Sequence, residues 1–269
     1  MNAELEKILT DYMVLAQKES AILGAWKFGS ISRGLDDALS DVDLVLLIDG
    51  SCFSHADDLA ESILKKVCAG IVLRWEEDFN SGAIHNNGYL IRTPSSLSHF
   101  DLFLLNQEQT DDPMCRIHYT GLKEEHILFD RREAVKSLCY NSPAGELWRA
   151  DRDRLARTYL YHFAMSAKYL LRQDYFKLYP VLHTLYETHA SLLLTEYDAI
   201  PWGGPQNKLQ YIPLEKQAHL KRYVCLEDLT QVRENLRQSL AWFQEDATEL
   251  GESAEPINAV SVFWSSLLQ

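Results

Sequence analysis

The run VDLVLLI, residues 42 to 48, constrains the fold more than any other stretch of the chain. Apart from Asp43 it is apolar at every position, so both faces of a strand made from it must be covered. It therefore predicts a central strand in a layered α/β arrangement rather than the edge of an open sheet. The neighbouring segments supply partners. Leu5, Ile8, Leu9, Tyr12 and Leu15 recur at helical spacing within residues 3 to 18, giving an amphipathic first helix. ILGAWKF follows as a short strand stopped by Gly29-Ser30, and HADDLAESILKKV, residues 55 to 67, reads as a second amphipathic helix. IVLRW, GYLIRT and HFDLFLL are three more strands, the last two joined by the turn-prone Thr93-Pro94-Ser95-Ser96, and HILFD at 126 to 130 is the final one.

Near residue 140 the pattern changes. Residues 146 to 172 are helical in period, as are YPVLHTLYETHASLLL, 226 to 249 and 255 to 268, while the proline- and glycine-rich AIPWGGPQNKLQYIP is a connector. An α/β (α+β) class follows, in two domains: residues 1–140 with a mixed sheet and residues 141–269 all helical.

Charge and cysteine usage narrow the possible functions. The chain of 269 residues carries 26 basic and 39 acidic side chains, a net charge of −13, which repels polyanions at long range and argues against broad nucleic-acid binding. It leans instead towards a cationic substrate. Five scattered cysteines without a C-x-x-C spacing support neither a zinc site nor a disulfide framework. The acidic, amphipathic N-terminus is unlike a signal peptide, and no apolar run approaches the roughly 18 residues of a membrane span. A soluble cytoplasmic protein with reduced thiols is expected.

Chemistry concentrates in FGSISRGLDDALSDVDLVLLI, residues 28 to 48. Asp41 and Asp43 stand two apart at the entry to the central strand, so period-two alternation points both to one face. Burying two like charges together is costly unless a cation neutralises them. A hard divalent ion such as magnesium, which prefers carboxylate and phosphate oxygens, is the natural neutraliser. Surface decoration in an acidic chain would also produce a D-x-D pair. The turn upstream favours function. Gly29 lets backbone amides approach a phosphate, Ser30 can donate from its hydroxyl, and Arg33 can form a charge-assisted bond to a phosphate oxygen. The lysine of a Walker-type loop is missing, so a P-loop enzyme is not indicated.

The combination GS-x-x-R-G…SD-x-D-L-V-L resembles the signature of the polymerase-β-type nucleotidyltransferase superfamily. Length and the helical second half are similar to those of the antibiotic nucleotidyltransferases that adenylylate aminoglycosides or lincosamides. The motif match covers residues 22 to 48 and one later strand. The resemblance implies a nucleotidyltransferase fold, a small mixed sheet flanked by helices, with a helical domain that supplies acceptor contacts. It also implies a third carboxylate on a neighbouring strand, which Asp101 in HFDLFLL provides; a solvent-facing edge aspartate is the plain alternative. Asp41, Asp43 and Asp101 would then hold two magnesium ions, with Asp101 also accepting the acceptor's proton. ATP as donor, a small-molecule hydroxyl as acceptor, and Lys208 as a triphosphate contact follow from the same resemblance.

Other candidates have ordinary explanations. Glu76, Glu77 and Asp78 could line an anionic pocket for a cationic antibiotic or be a solvated strand end; Glu146, Asp151, Asp153 and Glu187 could supply a general base in place of Asp101, but read first as exposed helix carboxylates. The histidines lack a metal-ligand spacing, and His162 and His183 fall within helical runs. Trp75, Trp148 and Trp202 could stack on a base or sugar, with core packing the default for tryptophan, and His118 and Tyr119 fall in an irregular segment. Two competing functions remain: a nucleotidyltransferase acting on RNA or protein, as in the toxin and antitoxin branches, and a non-catalytic nucleotide-binding module.

Overall fold

The computed structural model describes residues 3–30, 32, 40–95, 97–141, 151–197, 203–224 and 228–267. Arg33, Ser96, Glu146, Trp148 and Trp202, named above, and Cys225, one of the five cysteines, lie outside the described residues. The chain divides into two compact units, Met1–Leu147 and Trp148–Gln269.

The first unit is a six-stranded mixed sheet with helices. Its elements are α1 (Ala3–Ala16), β1 (Ile22–Lys27), β2 (Val42–Ile48), α2 (Ala56–Val67), β3 (Gly70–Glu76), β4 (Ile84–Arg92), β5 (Leu97–Asn106), α3 (Pro113–Tyr119), β6 (Ile127–Asp130) and α4 (Ala134–Asn141). The strand order is β3-β4-β5-β2-β1-β6, so β2 lies inside the sheet as its composition requires. Among the described residues only β2 and β5 pair in parallel; the other neighbours are antiparallel.

One face of the sheet packs on α1 and α2. Leu5, Ile8, Leu9 and Tyr12 from α1 and Ala60, Ile63 and Leu64 from α2 bury against Leu44, Leu46, Leu102 and Leu104. The opposite face carries the alternate residues Val45, Leu47, Phe103 and Leu105, all at most 2% exposed. Over it lies α3, whose Pro113 opens the helix and whose start is capped by Asp112 accepting from the Met114 amide at 2.8 Å. His118 and Tyr119, expected in irregular structure, are buried residues of this short helix. The seven-residue helix was masked by its brevity, since too few turns exist for a period to show.

β4 begins earlier than its apolar run suggests. Asn86 and Asn87 are buried within it because each finds partners: the Asn87 amide donates to Asp57 at 2.7 Å and its oxygen accepts from Arg74, while Asn86 donates to the Leu102 carbonyl at 3.4 Å.

The second unit is helical: α5 (Arg152–Leu171), α6 (Tyr175–Leu194), α7 (Leu214–Leu220), α8 (Leu229–Glu249) and α9 (Ala254–Leu267). Its core gathers Tyr159, Phe163, Leu185, Leu236, Phe243 and Trp264. A buried polar chain crosses that core, with His189 between Asp246 (2.8 Å) and the Tyr223 hydroxyl (2.9 Å), and Lys216 closing on Asp246. The expected connector contains a 3-10 turn over Pro205–Tyr211. Among the described residues no helix is long and apolar enough to cross a membrane, and Cys52, Cys68, Cys115 and Cys139 are free thiols.

Candidate active site

Asp43 and Asp101 are register partners across the parallel β2–β5 pair, which puts both side chains on the face opposite α1 and α2. The two strands lie about 4.8 Å apart, the ordinary spacing of a ladder, so the carboxylates rise from adjacent positions. Asp41 precedes β2 by one residue and continues the same alternation. All three are half-buried.

The turn after β1 closes on Asp43. The Phe28 amide donates to the Asp43 carbonyl at 2.9 Å, so the chain is still tied to β2 as it enters Gly29. Gly29 then turns with a φ of +64°, in the left-handed region. A Cβ there would lie 1.8 Å from Asp43 Oδ2 and 2.5 Å from its Cγ. Glycine is therefore required twice, by the backbone and by the carboxylate against it. Ser32 Oγ donates to the Gly29 carbonyl at 3.0 Å. The Ser30 Oγ is buried and lacks a hydrogen-bond partner. A buried hydroxyl without a partner is costly, and a ligand oxygen at this turn would satisfy it.

Electrostatics single out Asp101. Burial, followed by the charges of Asp41 and Glu77, pushes its carboxyl up to about 7. The cluster is thus short of positive charge, as a site built for a cation would be. Three carboxylates without sulfur or imidazole suit a hard oxygen-seeking ion. Among the described residues, however, no three His, Cys, Asp or Glu side chains already converge closely enough to hold a metal. The donors share a face and a charge deficit without forming a finished coordination shell.

Below this layer the packing is aromatic. The His118 ring lies 4.9 Å from Phe28 and 4.6 Å from Phe103, between the residue before Gly29 and the residue two after Asp101. Its Nδ1 bonds the Met114 carbonyl at 2.7 Å, and burial pushes its pKa down to about 4, so the ring is neutral. The Trp26 indole donates to the His118 carbonyl at 2.8 Å, fixing α3 on the sheet.

Glu76, Glu77 and Asp78 do not act as a group. Glu76 turns to the α2 face and pairs with Arg74 at 3.0 Å, whereas Glu77 is close enough to raise Asp101. Alternation along β3 separates them: Arg74 and Glu76 share one face, Trp75 and Glu77 the other. Trp75 is not a core residue; its register partner is Gly88, and it is 62% exposed. Gly88, which drew no notice in the sequence, is in turn the partner of Asp101.

The carboxylates of the second unit have local roles. Asp151 caps α5, Asp153 pairs with Arg157, and Glu187 pairs with His183 at 3.4 Å. Lys208 is half-buried on the Pro205–Tyr211 turn of that unit.

No protein-family model matches the chain, and no curated protein does. Among solved structures the chain is similar to an aminoglycoside 6-adenyltransferase from Bacillus subtilis, at 10% identity and a TM-score of 0.43, with 99% of each chain covered. It is also similar to a nucleotidyltransferase-like protein from Exiguobacterium sibiricum, at 12% identity and a TM-score of 0.33, covering 97% of this chain and 88% of that one. Likeness at this level assigns no activity, and the functional reading rests on the residues just described.

Proposed function

We infer that the chain is a magnesium-dependent nucleotidyltransferase that moves AMP from ATP to a hydroxyl of a small molecule, an aminoglycoside- or lincosamide-like antibiotic, and releases pyrophosphate. The observation that carries this reading is the placement of Asp43, register partner of Asp101, against a glycine turn whose Ser30 hydroxyl is buried without a partner. Magnesium, bound by Asp41, Asp43 and Asp101, would supply neutralising charge for the triphosphate and acidify the attacking hydroxyl.

The chain's own residues do the rest. Ser30 Oγ and the amides of the Gly29 turn receive a phosphate oxygen, holding the donor beside Asp43. Asp101 accepts the proton of the acceptor hydroxyl. That hydroxyl's oxygen then bonds to the α-phosphorus as the bond to the α,β-bridging oxygen breaks, and pyrophosphate leaves with that electron pair. We propose Lys208 as a triphosphate contact, tested by a higher KM for ATP in Lys208→Ala. The cytoplasm, where the free thiols stay reduced, is the proposed compartment.

The test is incubation of the protein with isotopically labelled ATP, magnesium, and a panel of aminoglycosides and lincosamides, read by mass spectrometry. Addition of one AMP to an acceptor, abolished in Asp41→Asn, is the expected result. A wild-type rate in a folded Asp41→Asn variant would refute the metal assignment. Magnesium-dependent ATP binding without pyrophosphate release on any acceptor would leave a binding module.

A further inference from the structure

A single row of register partners crosses four strands on the active-site face: Trp75 on β3, Gly88 on β4, Asp101 on β5 and Asp43 on β2. Its order carries directional information. Gly29 and its turn press on Asp43 at one end, and the Trp75 indole stands exposed at the other. Asp101 lies between them. The position separating Asp101 from Trp75 bears no side chain. A Cβ on Gly88 would sit 2.9 Å from Asp101 Oδ1 and 3.9 Å from Trp75 Cβ, so it would push the carboxylate and close the gap.

Phosphoryl-type transfer needs the attacking and leaving oxygens roughly in line across the phosphorus. With phosphates held at the Gly29–Ser30 end, the acceptor must approach from the other side of Asp101. That side is the Gly88 notch and the indole beyond it. Trp75 and Asp101 stand two strand spacings apart, about 10 Å between backbones. One six-membered ring fits that span. Leu73, 55% exposed, follows the same face along β3 and widens the apolar floor. Glu77 offers an anion to an ammonium substituent at the rim.

We propose that Trp75 and Gly88 form the acceptor subsite of this enzyme: a hydroxylated ring lies with its apolar face on the Trp75 indole, bridges the Gly88 notch, and presents one hydroxyl to Asp101. The proposal rests on the nucleotidyltransferase reading for its direction. It makes Trp75 and Gly88 specificity-determining residues, and predicts an acceptor that is a compact ring rather than an extended chain or a macromolecule.

The test separates acceptor from donor binding without requiring turnover. The full chain is labelled with 5-fluorotryptophan and its Trp75 resonance is assigned by Trp75→Phe. It is then titrated with kanamycin, with lincomycin and, separately, with magnesium ATP. Movement of the Trp75 resonance with either ring compound, and its absence with magnesium ATP, is the expected result; the two ring compounds distinguish an aminocyclitol from a lincosamide-type sugar. Movement with ATP alone would place the indole under the donor base and overturn the proposal, as would no movement with any probe. In kinetics, Trp75→Ala should raise the acceptor KM roughly five- to tenfold, the size of one lost ring contact, and leave the KM for ATP unchanged. An unchanged acceptor KM overturns the proposal. If the resonance moves with a ring compound but no AMP is transferred, the subsite stands and the nucleotidyltransferase reading falls.

Discussion

Replacing Gly29 by alanine tests the phosphate turn and the carboxylate together. Two costs are readable from the geometry. At a φ of +64° an L-residue with a Cβ is disfavoured by about 1–2 kcal/mol relative to glycine. The new Cβ also meets Asp43 at 1.8 Å from Oδ2, 2.5 Å from Cγ and 3.0 Å from Cβ. Rotating the Asp43 side chain relieves the first two contacts but not the third, so the backbone of the turn must also yield. Overpacking of this kind costs about 1–3 kcal/mol more. The total, about 2–5 kcal/mol, is large but below the whole stability of many domains.

Function should suffer more than folding. Displacing Asp43 by the ångström or so that the clash demands is expected to lower kcat/KM about 100-fold. Urea denaturation gives the stability and pyrophosphate release gives the rate. A double-mutant cycle with Asp43→Ala isolates the clash, because removing the carboxylate deletes the contacts to Oδ2 and Cγ and leaves the conformational cost. Gly29→Ala should then cost about 1–2 kcal/mol less in the Asp43→Ala background than in the wild type. Equal costs in both backgrounds, or a Gly29→Ala enzyme within about twofold of the wild-type kcat/KM, would refute the geometry on which the site is built.

Three further outcomes follow from the same contacts. Asp101→Asn removes a half-buried charge that faces Asp41 and Glu77, so in EDTA the variant should melt above the wild type while transferring no AMP; a lower melting temperature would mean that the carboxylate is stabilising without a cation. Ser30→Ala removes a buried hydroxyl that bonds nothing, and should leave the melting temperature within a degree or so while raising the KM for ATP several-fold; a large loss of stability with an unchanged KM would count against a phosphate role. His118 gives a pH dependence. Its folded pKa of about 4 lies below the unfolded value of about 6.5, so its contribution is fully present above pH 6.5 and is lost as pH falls towards 4. The loss is about 3 kcal/mol, measurable by denaturation across that window. His118→Phe should flatten this limb, and an acid limb of equal steepness in both proteins would refute the assignment.

How far the site was legible depends on whether a residue's role is set by its neighbours in sequence or by its neighbours in space. Asp41, Asp43, Gly29 and Ser30 are connected by a strand, a turn and a strand, and alternation alone places the two aspartates on one face. Asp101 was recognisable as an anomaly, a charge interrupting an apolar run, but its partner was not, because the parallel pairing of β5 with β2 joins segments that are distant in the chain. Trp75 shows the opposite failure. Tryptophan usually packs in a core, and that tendency overrode a local signal: in LRWEE, Arg74 and Glu76 alternate with Trp75 and Glu77, so one face of β3 had to carry the indole beside an acid. Where that face leads is decided by the antiparallel pairings of β3 with β4 and β4 with β5. Gly88 had no signature at all, because a missing side chain acquires meaning only when the residues on both sides are known. The aspartates could therefore be read as a place where charge is handled, whereas the direction from which an acceptor reaches them is a property of the sheet.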